Sequence, residues 1–374
     1  MTDSSLSPRV LLAAFALATI TPAASIAQTR TRNVVLIVSD GLRWQEVFRG
    51  AERALVSRTA GGVRDTTAAL RRWYREDLAS RRRTLLPFLW GRIANDGVLL
   101  GNQDSGSVAA ITNTMRFSYP GYNELLTGAA DPRIDSNEYP PNPNITVFEW
   151  LARRPAYRGK VAAIATWDAF RRIFNRERAG FDVFDGWDEP FHGAMARTPR
   201  AAFVNEWYRT SVRMWDGNAF DAPMHAATKE YIRQRKPRVL FVGYGETDEW
   251  AHSGMYDMLL QSAHRVDGYI RDLWETMQAM PEYRGTTTFI ITTDHGRGDG
   301  PSKWRDHGED VTGAENIWLA VIGPDTPALG EVTRAARVAQ SQVAATLAAL
   351  LGEDWRATNP QAGAPITSVV GRRR

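Results

Sequence analysis

A chain of 374 residues with 43% hydrophobic side chains can bury the core of one large α/β domain or of two smaller ones. It has no cysteine, which excludes disulfides and thiolate metal sites. Its formal net charge of +4 is spread through well-mixed charges, mostly arginine on the positive side. That argues against a specific nucleic-acid partner and for a modest attraction to anionic ligands.

At the N-terminus, Arg9 precedes an apolar run over 10–20, and Ser25-Ile26-Ala27 puts small residues ahead of a cut at Gln28. The pattern predicts a secretory signal peptide over 1–27, with an uncleaved anchor as the alternative. No later stretch is apolar and long enough to cross a bilayer. The remainder, 28–374, shows no repeat, low-complexity segment or linker, so a single catalytic domain is expected, exported to the periplasm or secreted. Oligomeric state is not legible.

The first strand is Asn33–Ser39, NVVLIVS, a continuous apolar run of the kind found in central parallel strands, closed by Asp40-Gly41. Asp40 taken alone reads as a cap of the following segment. Helices are expected over 66–78 and 84–94, then a short strand over 97–100. A polar stretch leads to Phe117-Ser118-Tyr119-Pro120-Gly121-Tyr122-Asn123, which delivers Ser118 to the start of a short helix ended by Gly128. A hydroxyl there feels the positive end of the helix dipole, although Ser118 taken alone reads as an N-cap. The Pro/Asn/Asp-rich segment 131–143 is expected as an irregular surface loop beside the site.

Further along, 147–153 reads as helix, 160–166 and 181–184 as strands, and 200–215 and 222–235 as helices whose aromatics (Trp207, Tyr208, Trp215) serve packing. The strand 238–242 runs into Gly243-Tyr244-Gly245-Glu246-Thr247-Asp248, with His252 four residues on. On a helix Asp248 and His252 share a face and can grip one ion. A long amphipathic helix is predicted over 255–280, with His264 and Asp267 in structural roles. The stretch 286–296, TTTFIITTDHG, is a buried strand ending in Asp294-His295. In open α/β sheets chemistry gathers at the carboxyl ends of strands. The loop 297–310 offers His307-Gly308, 316–323 is a last core strand, 332–351 a terminal helix, and the arginine tail is expected to be disordered.

Asp40, Ser118, Asp248, His252, Asp294, His295 and His307 are three acids, three imidazoles and one hydroxyl. Such a set suits two adjacent tetrahedral metal sites sharing a nucleophile. The motifs VSDG (38–41), FSYPGYNELLTG (117–128), D-x-x-x-H (248–252), TDHG (293–296) and HG (307–308) resemble, in order, those of the alkaline phosphatase superfamily, most closely its type I phosphodiesterase/nucleotide pyrophosphatase branch. The resemblance implies a three-layer α/β/α sandwich around a mostly parallel sheet and hydrolysis of phosphate esters by a metal-activated Ser118 through a phosphoserine. It implies one metal on Asp248, His252 and His307, and another on Asp40, Asp294, His295 and the Ser118 oxygen. Mixed Asp/His ligands favour two Zn2+ ions, with Mn2+ as the alternative.

The branch commonly has threonine at the Ser118 position, and asparagine is expected three residues on, where this chain has Gly121. Asn123, or Lys303 or Arg305 from the polar loop, is the expected replacement in holding a phosphoryl oxygen. Thr112 and Thr114 are rival nucleophiles that do not keep the spacing to Thr127-Gly128. A sulfatase would need Cys or Ser with Pro or Ala at +2 and Arg at +4, and Tyr122 breaks that pattern. A phosphoglycerate mutase inserts a domain after its serine, for which the interval to Asp248 is short. A metal-stabilised binding protein without turnover is the reading from another class, kept open by Gly121.

Overall fold

The computed structural model describes Met1, Thr2 and residues 29–371. The stretch 1–27, expected to be a signal peptide, thus lies outside the described residues but for Met1 and Thr2, as does the tail at 372–374. Among the described residues eleven strands are formed: β1 (Asn33–Ser39), β2 (Val98–Leu100), β3 (Ala109–Ala110), β4 (Val161–Ala165), β5 (Asp182–Phe184), β6 (Val239–Tyr244), β7 (Thr287–Thr292), β8 (Asn316–Ile317), β9 (Leu319–Ile322), β10 (Gly330–Glu331) and β11 (Val338–Ala339). Eight make one sheet in the order β10-β2-β9-β7-β1-β6-β4-β5, and the other three a small one, β11-β3-β8. In the large sheet only β9 runs against its neighbours, β7 and β2.

The apolar run of β1 is buried at every position because helices cover both faces. Val35 and Ile37 enter one core, with the helices Asp221–Arg235 and Tyr256–Ala279. Val34, Leu36 and Val38 enter the other, with Ser118–Thr127, Val147–Arg153 and Val343–Leu350. The architecture is the expected α/β/α sandwich. Among the described residues no helix is long and apolar enough to cross a membrane.

Four predicted elements differ, each for a local reason. The helix expected over 66–78 stops at Trp73, because Asp77 caps a new one, Leu78–Leu85, by accepting from Ser80 N. The one expected over 84–94 is broken before Pro87 and resumes as a π-turn, Leu89–Ile93. Asp267 explains the resumption: its carboxylate takes the free N–H groups of Phe88 (2.7 Å) and Leu89 (2.8 Å). The helix over 332–351 shrinks to Val343–Leu350, since Val332, Arg334 and Val338 give their N–H groups to Leu99, Ser105 and Val108. The helix over 200–215 is Pro199–Thr210. Trp215 beyond it packs on Trp250, whereas Trp207 lies at the surface against Phe203.

Register places the site. β7, β1 and β6 are adjacent, with Val38 opposite Thr292 and Ser39 opposite Tyr244. Their carboxyl ends are therefore level, and the residues just beyond them emerge side by side.

Candidate metal centre

β1 delivers Asp40 and then turns at Gly41, whose φ of +58° belongs to the left-handed region. A Cβ there would strike Asp248 Oδ1 and lie 2.9 Å from Arg297 Nε, so only glycine lets the chain leave the strand this close to both. The Gly41 N–H donates to Asp294 Oδ1 at 3.1 Å. β6 passes into the helix Glu246–His252, which sets Asp248 and His252 on one face with Oδ2 and Nε2 3.1 Å apart. Buried Asp221 holds that exit, accepting from Gly245 N (2.9 Å) and Glu246 N (3.3 Å), and Thr247 donates its hydroxyl to Asp40 O at 2.6 Å.

β7 delivers Asp294 and His295, both fully buried. His295 Nδ1 lies 2.8 Å from Gly296 O, so it carries the proton there and turns the Nε2 lone pair inward. Nε2 is 3.3 Å from Ser118 Oγ, 3.5 Å from Asp40 Oδ1, 3.5 Å from Asp294 Oδ2 and 3.8 Å from Asp248 Oδ1. Ser118 is the first residue of its helix and not the cap: that position is Phe117, which makes no side-chain cap bond. The loop after β7 folds back so that His307 Nε2 is 3.0 Å from His252 Nε2, and Gly308 N donates to Arg116 O at 3.0 Å, tying this loop to the Ser118 approach.

The electrostatics suit a cation. Burial pushes the Asp40 carboxyl well up, helped by Asp294 and Asp248. Burial likewise raises Asp294, with Asp248 adding and His295 opposing. For Asp248 burial acts upward too, but Arg297 and then His252 outweigh it and hold the carboxyl well below the usual range. Burial, reinforced by His295, pushes His307 far down, leaving a neutral imidazole. Asp40 Oδ1 and Asp294 Oδ2 are buried acceptors with no hydrogen-bond partner. Each such atom ordinarily costs about 1–3 kcal/mol, unless a positive charge takes the place of the missing donors. The residues fit a metal: carboxylate oxygens and imidazole nitrogens converge in two overlapping groups, Asp248/His252/His307 and Asp40/Asp248/His295, with donor atoms in each within 4.8 Å of one another.

All seven residues expected at the strand ends are thus brought to one place. Asp248 faces both groups, whereas the resemblance implied it for one alone. Asn123 is a correction. Its amide donates to Ala129 O (3.2 Å) and its oxygen accepts from Asn142 (3.2 Å) and Asn144 (3.1 Å), because five residues along a helix turn it away from Ser118. Lys303 is also corrected: it is exposed, 3.6 Å from Asp306, with no contact to the cluster. Arg305 stacks on Trp304 and gives the site only its backbone oxygen, an acceptor for Arg297. Thr112 donates its hydroxyl to Glu124 at 2.9 Å, and Thr114 is exposed.

Gly121 has a packing reason. A Cβ there would lie 2.5 Å from Asp294 O, so the Ser118 helix reaches the end of β7 only if this position has no side chain. Three residues escaped the sequence reading. Arg297 is buried against Asp248, Tyr122 donates to Asp40 Oδ2 at 2.9 Å, and Asn137 accepts from Tyr119 N at 2.9 Å beside Ser118. Arg297 stands two positions after His295 and Tyr122 four after Ser118, spacings that could have marked them. Asn137 comes from a loop and carried no signal.

A family model described as type I phosphodiesterase / nucleotide pyrophosphatase matches residues 63–350, which include Ser118, Asp248, His252, Asp294, His295 and His307. The chain is similar to the 2,3-bisphosphoglycerate-independent phosphoglycerate mutase of Gracilaria tenuistipitata var. liui, at 21% identity over 268 residues, 69% of this chain and 49% of that protein. It thus spans about half the length of that curated relative. Among solved structures it is similar to the alkaline phosphatase PafA, with TM-score 0.59, 11% identity and coverage of 93% of this chain and 100% of that one. It is also similar to the phosphonate monoester hydrolase SpPMH from Silicibacter pomeroyi, with TM-score 0.57, 14% identity and coverage of 90% and 76%. At these identities the likeness is one of fold. With the family match covering most of the sequence, the chain belongs to the type I phosphodiesterase / nucleotide pyrophosphatase family.

Proposed function

We propose that this protein is an exported hydrolase of small phosphate esters that works through Ser118, with one divalent ion held by Asp248, His252 and His307 and a second by Asp40, Asp294, His295 and Ser118. The observation that carries this reading is the meeting of Ser118 Oγ, His295 Nε2 and the two partnerless oxygens, Asp40 Oδ1 and Asp294 Oδ2, at one buried point. Bound divalent ions, Zn2+ by the ligand chemistry, would favour the serine alkoxide and face the charge that builds on the phosphoryl oxygens.

The chain's own residues do the rest. Ser118 gives its hydroxyl proton to solvent as Oγ forms a bond to phosphorus; the bond from phosphorus to the ester oxygen breaks, and that oxygen takes a proton from water. A water then attacks phosphorus, the Oγ–P bond breaks, Oγ takes up the proton that the attacking water sheds, and phosphate or its monoester departs with the serine restored. The first turn of the Ser118–Thr127 helix aims its positive end at the phosphoryl group. Tyr122 fixes one Asp40 oxygen and so aims the other at the cluster. Between Ser118 and Asp248 the chain builds β4, β5, β6 and their helices within the one sandwich, which favours a hydrolase over a mutase with an inserted domain.

The test is protein recovered from the periplasm with Gln28 as its first residue, assayed on p-nitrophenyl phosphate and bis-p-nitrophenyl phosphate. At least one ester should be cleaved, with the activity lost on chelation and restored by Zn2+ or Mn2+. Turnover that survives exhaustive chelation would rule the reading out.

A further inference from the structure

The metal centre contains a positive charge of its own. Arg297 lies on the turn after β7, and its guanidinium is completely buried. Its Nη2 pairs with Asp248 Oδ1 and also donates to Asp248 O at 3.3 Å, and its Nη1 donates to Arg305 O. Its Nε has no partner. The turn at Gly41 closes over the group so tightly that a Cβ there would lie 2.9 Å from Nε and 3.1 Å from Nη2.

Three carboxylates, Asp40, Asp248 and Asp294, gather within a few ångströms of His295 Nε2. Without a compensating cation such a cluster repels itself in a medium that screens poorly. Arg297 supplies one, and it does so at Asp248 Oδ1, the oxygen that lies 3.8 Å from His295 Nε2. A guanidinium stays protonated at any working pH, so its charge is permanent.

We infer that Arg297 is a resident counter-ion of the metal centre: it keeps the carboxylates assembled when no metal is bound, and it competes with metal for Asp248, so that affinity is held down. The inference rests on the metal-site reading above. Its two halves have opposite signs. Removing the charge lets the metal-free cluster repel itself, which lowers stability before metal is added. The same removal deletes repulsion between guanidinium and divalent ion and frees Asp248 Oδ1, which tightens binding. A residue that served only as a packing strut would lose both stability and affinity.

The experiment uses full-length exported protein as wild type, Arg297→Gln and Arg297→Lys. Thermal unfolding is followed after chelation, and Zn2+ and Mn2+ affinities are measured by competition with a chromophoric chelator. For Arg297→Gln the metal-free melting temperature should fall by about 3 °C or more while Zn2+ affinity rises by about tenfold. Arg297→Lys keeps the charge and should stay near wild type in both. Affinity that falls together with stability in Arg297→Gln, or a lysine variant no different from the glutamine one, would overturn the proposal, as would a glutamine variant that does not fold even with Zn2+ present. If wild type and variant bind with equal affinity, the counter-ion role alone fails. If wild type binds neither ion, the metal-site reading falls as well.

Discussion

Replacing Ser118 with alanine should reduce hydrolysis of p-nitrophenyl esters by about three orders of magnitude or more while leaving the fold intact. The two halves of that expectation have separate physical grounds. Chemistry is lost because Ser118 Oγ is the hydroxyl that lies 3.3 Å from His295 Nε2, where Asp40 Oδ1 and Asp294 Oδ2 also converge, whereas the Tyr122 hydroxyl is given to Asp40 Oδ2 and the Thr293 hydroxyl to His295 O. Thr112 is committed to Glu124, and Thr114 faces solvent. Structure is kept because the Ser118 hydroxyl caps nothing, and alanine is at least as good a helix former. Steady-state rates and thermal unfolding on the same preparation check it: equal rates would reject the nucleophile, and a large drop in melting temperature would show a structural role instead.

Asp248→Ala should be the most damaging change in the centre, because it acts on two accounts at once. It removes a carboxylate that faces both donor groups, so bound metal should fall from two ions per chain to one or none. It also leaves the Arg297 guanidinium buried with no anion, and an uncompensated buried charge costs about 3–5 kcal/mol. Metal analysis after gel filtration and a urea unfolding curve measure the two effects independently. Removing Arg297 together with Asp248 should restore much of the stability and none of the metal binding, which would show that the cost comes from the stranded charge.

Much of this is legible in the sequence, for a definite reason. Strands such as NVVLIVS and TTFIIT carry an unbroken β-branched, apolar pattern that only a doubly covered parallel sheet accommodates, and their acids come where the pattern stops. Asp248 and His252 were recognisable because their spacing of four matches a helical turn. What resisted reading depends on neighbours distant in the chain. The helix expected over 332–351 is overridden by pairing with Leu99, Ser105 and Val108. Asn123 looked available from its place after Ser118, but its partners Asn142 and Asn144 come from another loop. The absence of a side chain at Gly121 looked like a lost ligand and is instead a close approach to Asp294 O. Arg297 is marked in the sequence only by its place two positions after His295, and its role comes from its burial against Asp248.

The central claim is that residues from both ends of the chain enclose a pair of cations. The most direct measurement is an anomalous difference map at the zinc edge, from crystals of the protein grown with Zn2+. Two peaks are expected, one bounded by Asp248, His252 and His307 and the other by Asp40, Asp294, His295 and Ser118. Peaks elsewhere on the surface, with none among these side chains, would contradict it.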